Sequence, residues 1–126
     1  EIVPVPPFTA QDIDWTDPTS RASRQHADRA MRPPISASPS ADGYDEIFVG
    51  YPLWWDTAPR EVRTWLESHD FTGKTITTFA TSSSSTRGAL GEQLHDSAPD
   101  AHWVNGRRFA ANASEAELKT WADSIA

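Results

Sequence analysis

Two adjacent tryptophans, Trp54 and Trp55, lie in the run Tyr51-Pro52-Leu53-Trp54-Trp55-Asp56-Thr57. Neighbouring rings on a loop cannot both enter one core, so one is left to face water or something flat. The chemistry they offer is stacking, not proton transfer. A second candidate is the hydroxyl tract Thr81-Ser82-Ser83-Ser84-Ser85-Thr86. Serine runs are ordinarily flexible linkers. Between a strand and a helix, however, their hydroxyls and backbone N–H groups can meet the polar edge of a ligand. Nucleophilic and metal chemistry find little support. The chain has no cysteine, and His26, His69, His95 and His102 are scattered without ligand spacing. No Gly-x-Ser-x-Gly occurs, and Ser82 to Ser85 have no histidine close in sequence, so hydrolase chemistry is a poor fit.

The elements that would position these loops follow from pattern. Ile47, Phe48 and Val49 form a short apolar run that reads as a central parallel strand buried on both faces. Gly50 and Pro52 should end it. A helix is expected from Thr57 or Ala58, with Pro59 in its first turn, and Val62, Trp65 and Leu66 share one face of it. Thr75 to Ala80 is β-branched and aromatic, a second strand. A helix carrying Leu90 and Leu94 should follow the serine tract. His102, Trp103 and Val104 read as a last short strand, and Asn105-Gly106 leaves open a hairpin with Arg107, Arg108 and Phe109. Ser114-Glu115-Ala116-Glu117 is a capping box ahead of Leu118, Trp121, Ala122 and Ile125 at helical spacing. Upstream, Ile2 to Val5 reads as a strand that Pro4 confines to an edge. Residues 8–16 read as loop, Asp17-Pro18 opens a helix to about Met31, and residues 36–43 form a polar connector. The alternation predicts one α/β domain over residues 1–126, its strands parallel and its crossovers right-handed.

At 126 residues with a net charge of −7, the chain suits a soluble single domain and lacks the basic face that nucleic acid requires. No stretch has the length of a membrane span or the pattern of a signal peptide, and a cytoplasmic location is expected.

The runs Tyr44-Asp45 to Pro59, Phe71 to Lys74, Phe79 to Ser82, and Trp103 with Gly106 to Phe109 resemble the flavodoxin-like family. The resemblance is narrower to its branch with a Tyr-Pro-x-Trp-Trp loop, and it spans Glu1 to Ala126. It implies a doubly wound parallel sheet with helices on both faces and FMN at the switch point. Pro52, Leu53, Trp54 and Trp55 would flank the flavin ring, with Asp56 and Thr57 completing that loop. Thr81, Ser82, Ser83 and Ser84 would line the pyrimidine edge. Ile2 to Val5 matches the family's second strand, so the sheet is expected to be truncated, without the first strand, phosphate loop and first helix. Weakened FMN affinity follows from that expectation.

Three functions fit these residues. One is FMN-associated electron transfer or oxidoreduction, with a redox protein partner. Another is a cofactor-free flavodoxin-like scaffold or protein-interaction module, and the third is a sugar-stacking surface on Trp54 and Trp55. An unpaired strand edge beside Ile47 to Val49 further predicts a homodimer.

Overall fold

The computed structural model describes residues 1–36 and 40–125. The middle of the connector read over 36–43, and the last residue, lie outside them. Three parallel strands, β1 (Glu46–Pro52), β2 (Thr75–Thr81) and β3 (His102–Phe109), form a sheet in the order β1-β2-β3. Helices α1 (Arg21–Ala27), α2 (Arg60–Glu67) and α3 (Glu115–Ile125) and a 3-10 turn over Glu92–Ser97 connect and flank them. The described fold is therefore α/β with parallel pairing, as the alternation predicts.

Register sorts the side chains onto two faces. Ile47 lies beside Ile76, Val49 beside Thr78 and Tyr51 beside Ala80; on the opposite face Phe48 lies beside Thr77 and Gly50 beside Phe79. Helix α2 covers the first face with Val62, Trp65 and Leu66, all buried, together with Phe71 and Leu94. Helix α3 covers the second with Trp121, whose ring meets Phe48, Phe79 and Phe109 edge-on at 5.7, 5.9 and 5.2 Å. Leu118, Trp121 and Ile125 are all only half-buried.

Several expectations need correction. β1 is an edge strand among those described, not a central one, and Phe48 is 43% exposed. It also continues through Gly50 to Pro52. The N–H of Leu53 donates to Thr81 O at 2.9 Å, so the nitrogen of Pro52 faces away from β2, towards the edge that no described strand pairs. Gly50 leaves room for the Phe79 ring, which occupies the space a Cβ would take. Ile2 to Val5 is not a strand of this sheet: Pro4 makes a single antiparallel bridge to Ile35. The helix expected from Asp17 to Met31 is shorter. Asp17 is spent on a turn, accepting from the N–H and hydroxyl of Thr19, and Ser20 caps α1 instead. Pro59 is the N-cap of α2, just outside its first turn.

The helix expected around Leu90 and Leu94 is the 3-10 turn; Leu94 is buried and Leu90 is 45% exposed. Asn105-Gly106 makes no hairpin. β3 runs straight through it, parallel to β2, with a register shift where residues 104 to 107 oppose 77 to 79. One extra residue in β3 makes this a bulge, and a Cβ on Gly106 would strike the Thr78 carbonyl. Half of the capping box forms, as Ser114 Oγ accepts from the N–H of Glu117 at 3.1 Å. No helix among the described residues is long and apolar enough to cross a membrane.

Candidate functional site at the carboxyl end of the first strand

Past Pro52 the chain folds into a two-residue turn. Trp54 and Thr57 exchange backbone hydrogen bonds at 2.9 and 3.2 Å, and between them Trp55 and Asp56 take φ of 52° and 63°. Asp tolerates this left-handed conformation; for a bulky ring it costs about 1–2 kcal/mol. Surrounding contacts hold the strain. The Trp55 ring stacks on His26 with centroids 4.7 Å apart and planes 13° from parallel. Asp56 Oδ1 accepts from Ser85 Oγ at 2.8 Å, and Gly88, at φ 82°, lies so close to the Asp56 carbonyl that a Cβ would overlap it. Backbone strain kept in place by its neighbours is a mark of functional loops.

Trp54 meets Phe8 edge to face, with ring centroids 5.2 Å apart. The segment carrying Phe8 is organised by small side-chain caps. Thr9 and Asp12 cap each other's N–H groups, Asp14 accepts from Thr16, and the Asp12 carbonyl accepts from the N–H of Ala22. Arg21 lies 4.1 Å over the Phe8 ring and donates to Pro6 O at 2.6 Å. The result presents Ile13 and Trp15, 43% and 73% exposed, opposite the tryptophan turn. Together with Ala22, Leu53, Trp54 and Trp55 they line an apolar cavity of about 390 Å³. That lies within the range of small-ligand pockets. Ile13 and Trp15 belong to a segment that reads as loop. Their one signal is a tryptophan and an isoleucine set among Asp12, Asp14 and Asp17.

The hydroxyl tract is ordered, not a loose linker. The Ser82 N–H donates to Phe109 O at 3.2 Å, and its Oγ donates to Ser85 O. Arg108 clamps the turn, donating through Nη2 to the carbonyls of Ser82 and Ser83 at 2.6 Å each and through Nε to Ser82 Oγ at 3.1 Å. Thr81 and Ser82 are half-buried; Ser83 and Ser84 are exposed. The bond between Asp56 and Ser85 joins this loop to the tryptophan turn. The cavity itself is lined by Leu53, Trp54 and Trp55 from the expected set; Pro52, Asp56, Thr57, Thr81, Ser82, Ser83 and Ser84 do not line it. The sequence thus points to both loops, and the structure brings them side by side while placing only one in the cavity wall.

Two titratable groups behind the turn are perturbed. Burial and the Arg60 and Arg29 charges hold His26 below the ordinary histidine range, favouring the neutral ring against Trp55. Burial pushes Glu61, 3% exposed in the first turn of α2, above the ordinary glutamate value. The Gln25 amide, with its nitrogen towards that carboxylate, donates at 2.8 and 3.1 Å.

A flat apolar cavity at the carboxyl end of a parallel strand is where open α/β sheets bind planar ligands. The flavodoxin family model matches residues 1–125, and the chain belongs to that family. Two crystal structures resemble it closely, both described as putative flavoproteins. That from Bacteroides uniformis ATCC 8492 is 40% identical with a TM-score of 0.88, covering 98% of this chain and 79% of the other. That from Bacteroides eggerthii DSM 20697 is also 40% identical, with a TM-score of 0.85, covering 98% and 78%. No curated protein matches the chain.

Proposed function

We propose that the chain binds FMN by its ring in the cavity of Ile13, Trp15, Leu53, Trp54 and Trp55, and serves electron transfer or oxidoreduction. The observation that carries this reading is an aromatic-walled cavity of about 390 Å³ at the carboxyl end of β1. Its apolar, tryptophan-rich lining suits a planar, largely apolar ring. Bound flavin would supply the one- and two-electron chemistry. The chain's own part is to stack the ring, exclude water through Leu53 and Ile13, and offer polar donors from the serine loop. Exposed Ser83 and Ser84 supply those donors, beside the turn that Asp56 and Ser85 tie together. Pro52, Thr57, Thr81 and Ser82 set the two loops and do not themselves grip the ring. Among the described residues no glycine-rich loop cradles a phosphate, so the contacts they offer are to the ring.

A cofactor-free scaffold is the second reading. It is favoured by Trp55 and Trp54 already having aromatic partners in His26 and Phe8. Titration with FMN and with riboflavin separates the two. Ring binding quenches tryptophan fluorescence with similar affinity for both flavins, and Trp55→Ala weakens each by about 1 kcal/mol, roughly fivefold. No quenching by either flavin leaves the scaffold. Quenching by an oligosaccharide in their place would assign the rings to sugar stacking.

We also propose that a second copy pairs along the edge of β1 that no strand among the described residues occupies. Glu1, Ile2, Ile47, Phe48, Val49, Gly50 and Trp65 border an open groove of about 260 Å³ there. Unpaired strand edges are templates for association. Light scattering should give twice the chain mass, and Phe48→Glu should return it to one. A wild-type monomer mass removes the proposal.

A further inference from the structure

On the far side of Trp55 from the apolar cavity lies a second pocket, of about 460 Å³, with the opposite character. Four of the chain's eleven basic residues, Arg29, Arg32, Arg60 and Arg63, line it, with His26, Trp55, Thr57, Gln93 and Asp96. In a protein of net charge −7 such convergence is a local reversal of sign. Two of the four are committed. Arg63 pairs with Asp96 at 2.6 Å and also donates to Ser97 Oγ and the Gln93 carbonyl, while Arg32 pairs with Glu67 at 2.8 Å. Arg29 and Arg60 form no ion pair among the described residues.

Arg60 is the decisive group. It is 8% exposed, its Nη2 donates to the His26 carbonyl at 2.8 Å, and its buried Nε has no partner. An unpaired buried donor on a charged group is costly, of order 1–3 kcal/mol or more. Burial and the charges of Arg63, Arg29 and Arg32 pull Arg60 below the ordinary arginine range, so like charges crowd one wall. Arg60 also opens α2, whose N-cap, Pro59, has no side chain able to cap the first-turn N–H groups. The N–H of Val62 already bonds Pro59 O and that of Glu61 its own carboxylate, which leaves the Arg60 N–H and the helix dipole to favour an anion at the same end. Thr57 lines the same pocket. Asp96 is the one carboxylate in the lining, and Arg63 neutralises it.

We propose that this pocket is a binding site for a phosphate dianion, held by Arg60 and Arg29 at the start of α2. Guanidinium forks match phosphate oxygens two at a time. An anion there relieves the repulsion among the arginines. Trp55 and His26, stacked on one another, both border this pocket, so the organic part of a phosphate monoester would meet the side of that stack. The site does not depend on the flavin reading, because the anion contacts lie outside the apolar cavity.

The experiment titrates the full chain with inorganic phosphate, AMP and adenosine at constant ionic strength, reading amide NMR shifts. Phosphate and AMP should shift the amides of Thr57, Arg60 and Glu61; adenosine should not. AMP binding at least tenfold tighter than phosphate identifies a phosphate monoester as the ligand, and equal affinities identify free phosphate. Arg29 is exposed and makes no ion pair, so Arg29→Ala should fold normally and weaken both about fivefold. Arg60→Gln, checked for folding by its amide spectrum, should weaken them tenfold or more. Shifts absent with both anions, or equal affinity in Arg29→Ala and wild type, overturn the proposal.

Discussion

The two faces of the sheet are built from the same three strands and are stabilised very differently. Val62, Trp65 and Leu66 of α2 are buried on one face; no residue of α3 is buried on the other. The packed face is filled by aliphatic and aromatic side chains that interlock, with Leu66 and Ile76 wholly enclosed. The second face is held by a single ring, Trp121, touching three phenylalanines while Phe48 stays 43% exposed. Stability therefore concentrates on the α2 side. The α3 side is a lid, resting against a strand that is at the sheet edge among the described residues.

Emptying the packed face should cost most. Leu66 is fully enclosed, and Leu66→Ala should lower unfolding free energy by about 3–4 kcal/mol, measured by urea denaturation. Trp121→Ala removes a larger side chain from the half-open face. Since that ring is only partly removed from water, the loss should be smaller, about 2 kcal/mol. If Trp121→Ala costs more than Leu66→Ala, the ranking of the faces is reversed and α3 is no lid.

The smallest effect concerns the charge that the packed face has enclosed. Burial raises the Glu61 pKa above its unfolded value. Its contribution to stability is then fully present below the unfolded carboxyl range, about pH 4, and is lost as pH rises through the raised value. Glu61→Gln keeps an amide against Gln25 and removes that ionisation. The variant should match or slightly trail wild type near pH 4 and exceed it at pH 8. Denaturation curves at both pH values check this. Asp96 provides the opposite slope as an internal control. Arg63 holds its carboxyl below the usual range, so the stability it adds is present at neutral pH and is lost as pH falls through that lowered value.

Sequence alone determined the features that depend on near neighbours. The face of Val62, Trp65 and Leu66, the β-branched run of β2 and the cap at Ser114 are all legible because each is written within one or two turns of chain. The parallel α/β class follows from their order. The tryptophan loop stands out by residue type, and its likeness to flavodoxin-like loops led to the family that the comparisons bear out. Tertiary structure decided the rest, for reasons of distance along the chain. Nothing local says that Gly106 serves a bulge opposite Thr78 and not a hairpin, or that Ile2 to Val5 joins residues 34–36 and not the sheet. The left-handed turn at Trp55 and Asp56 exists because His26, Ser85 and Gly88 over-determine it, from up to 32 positions away. Arg29, Arg32, Arg60 and Arg63 look like scattered surface charges until α1 and α2 are brought together. A hydrophobic period can be read from one segment, whereas a site made by side chains from several segments exists only after the chain closes on itself.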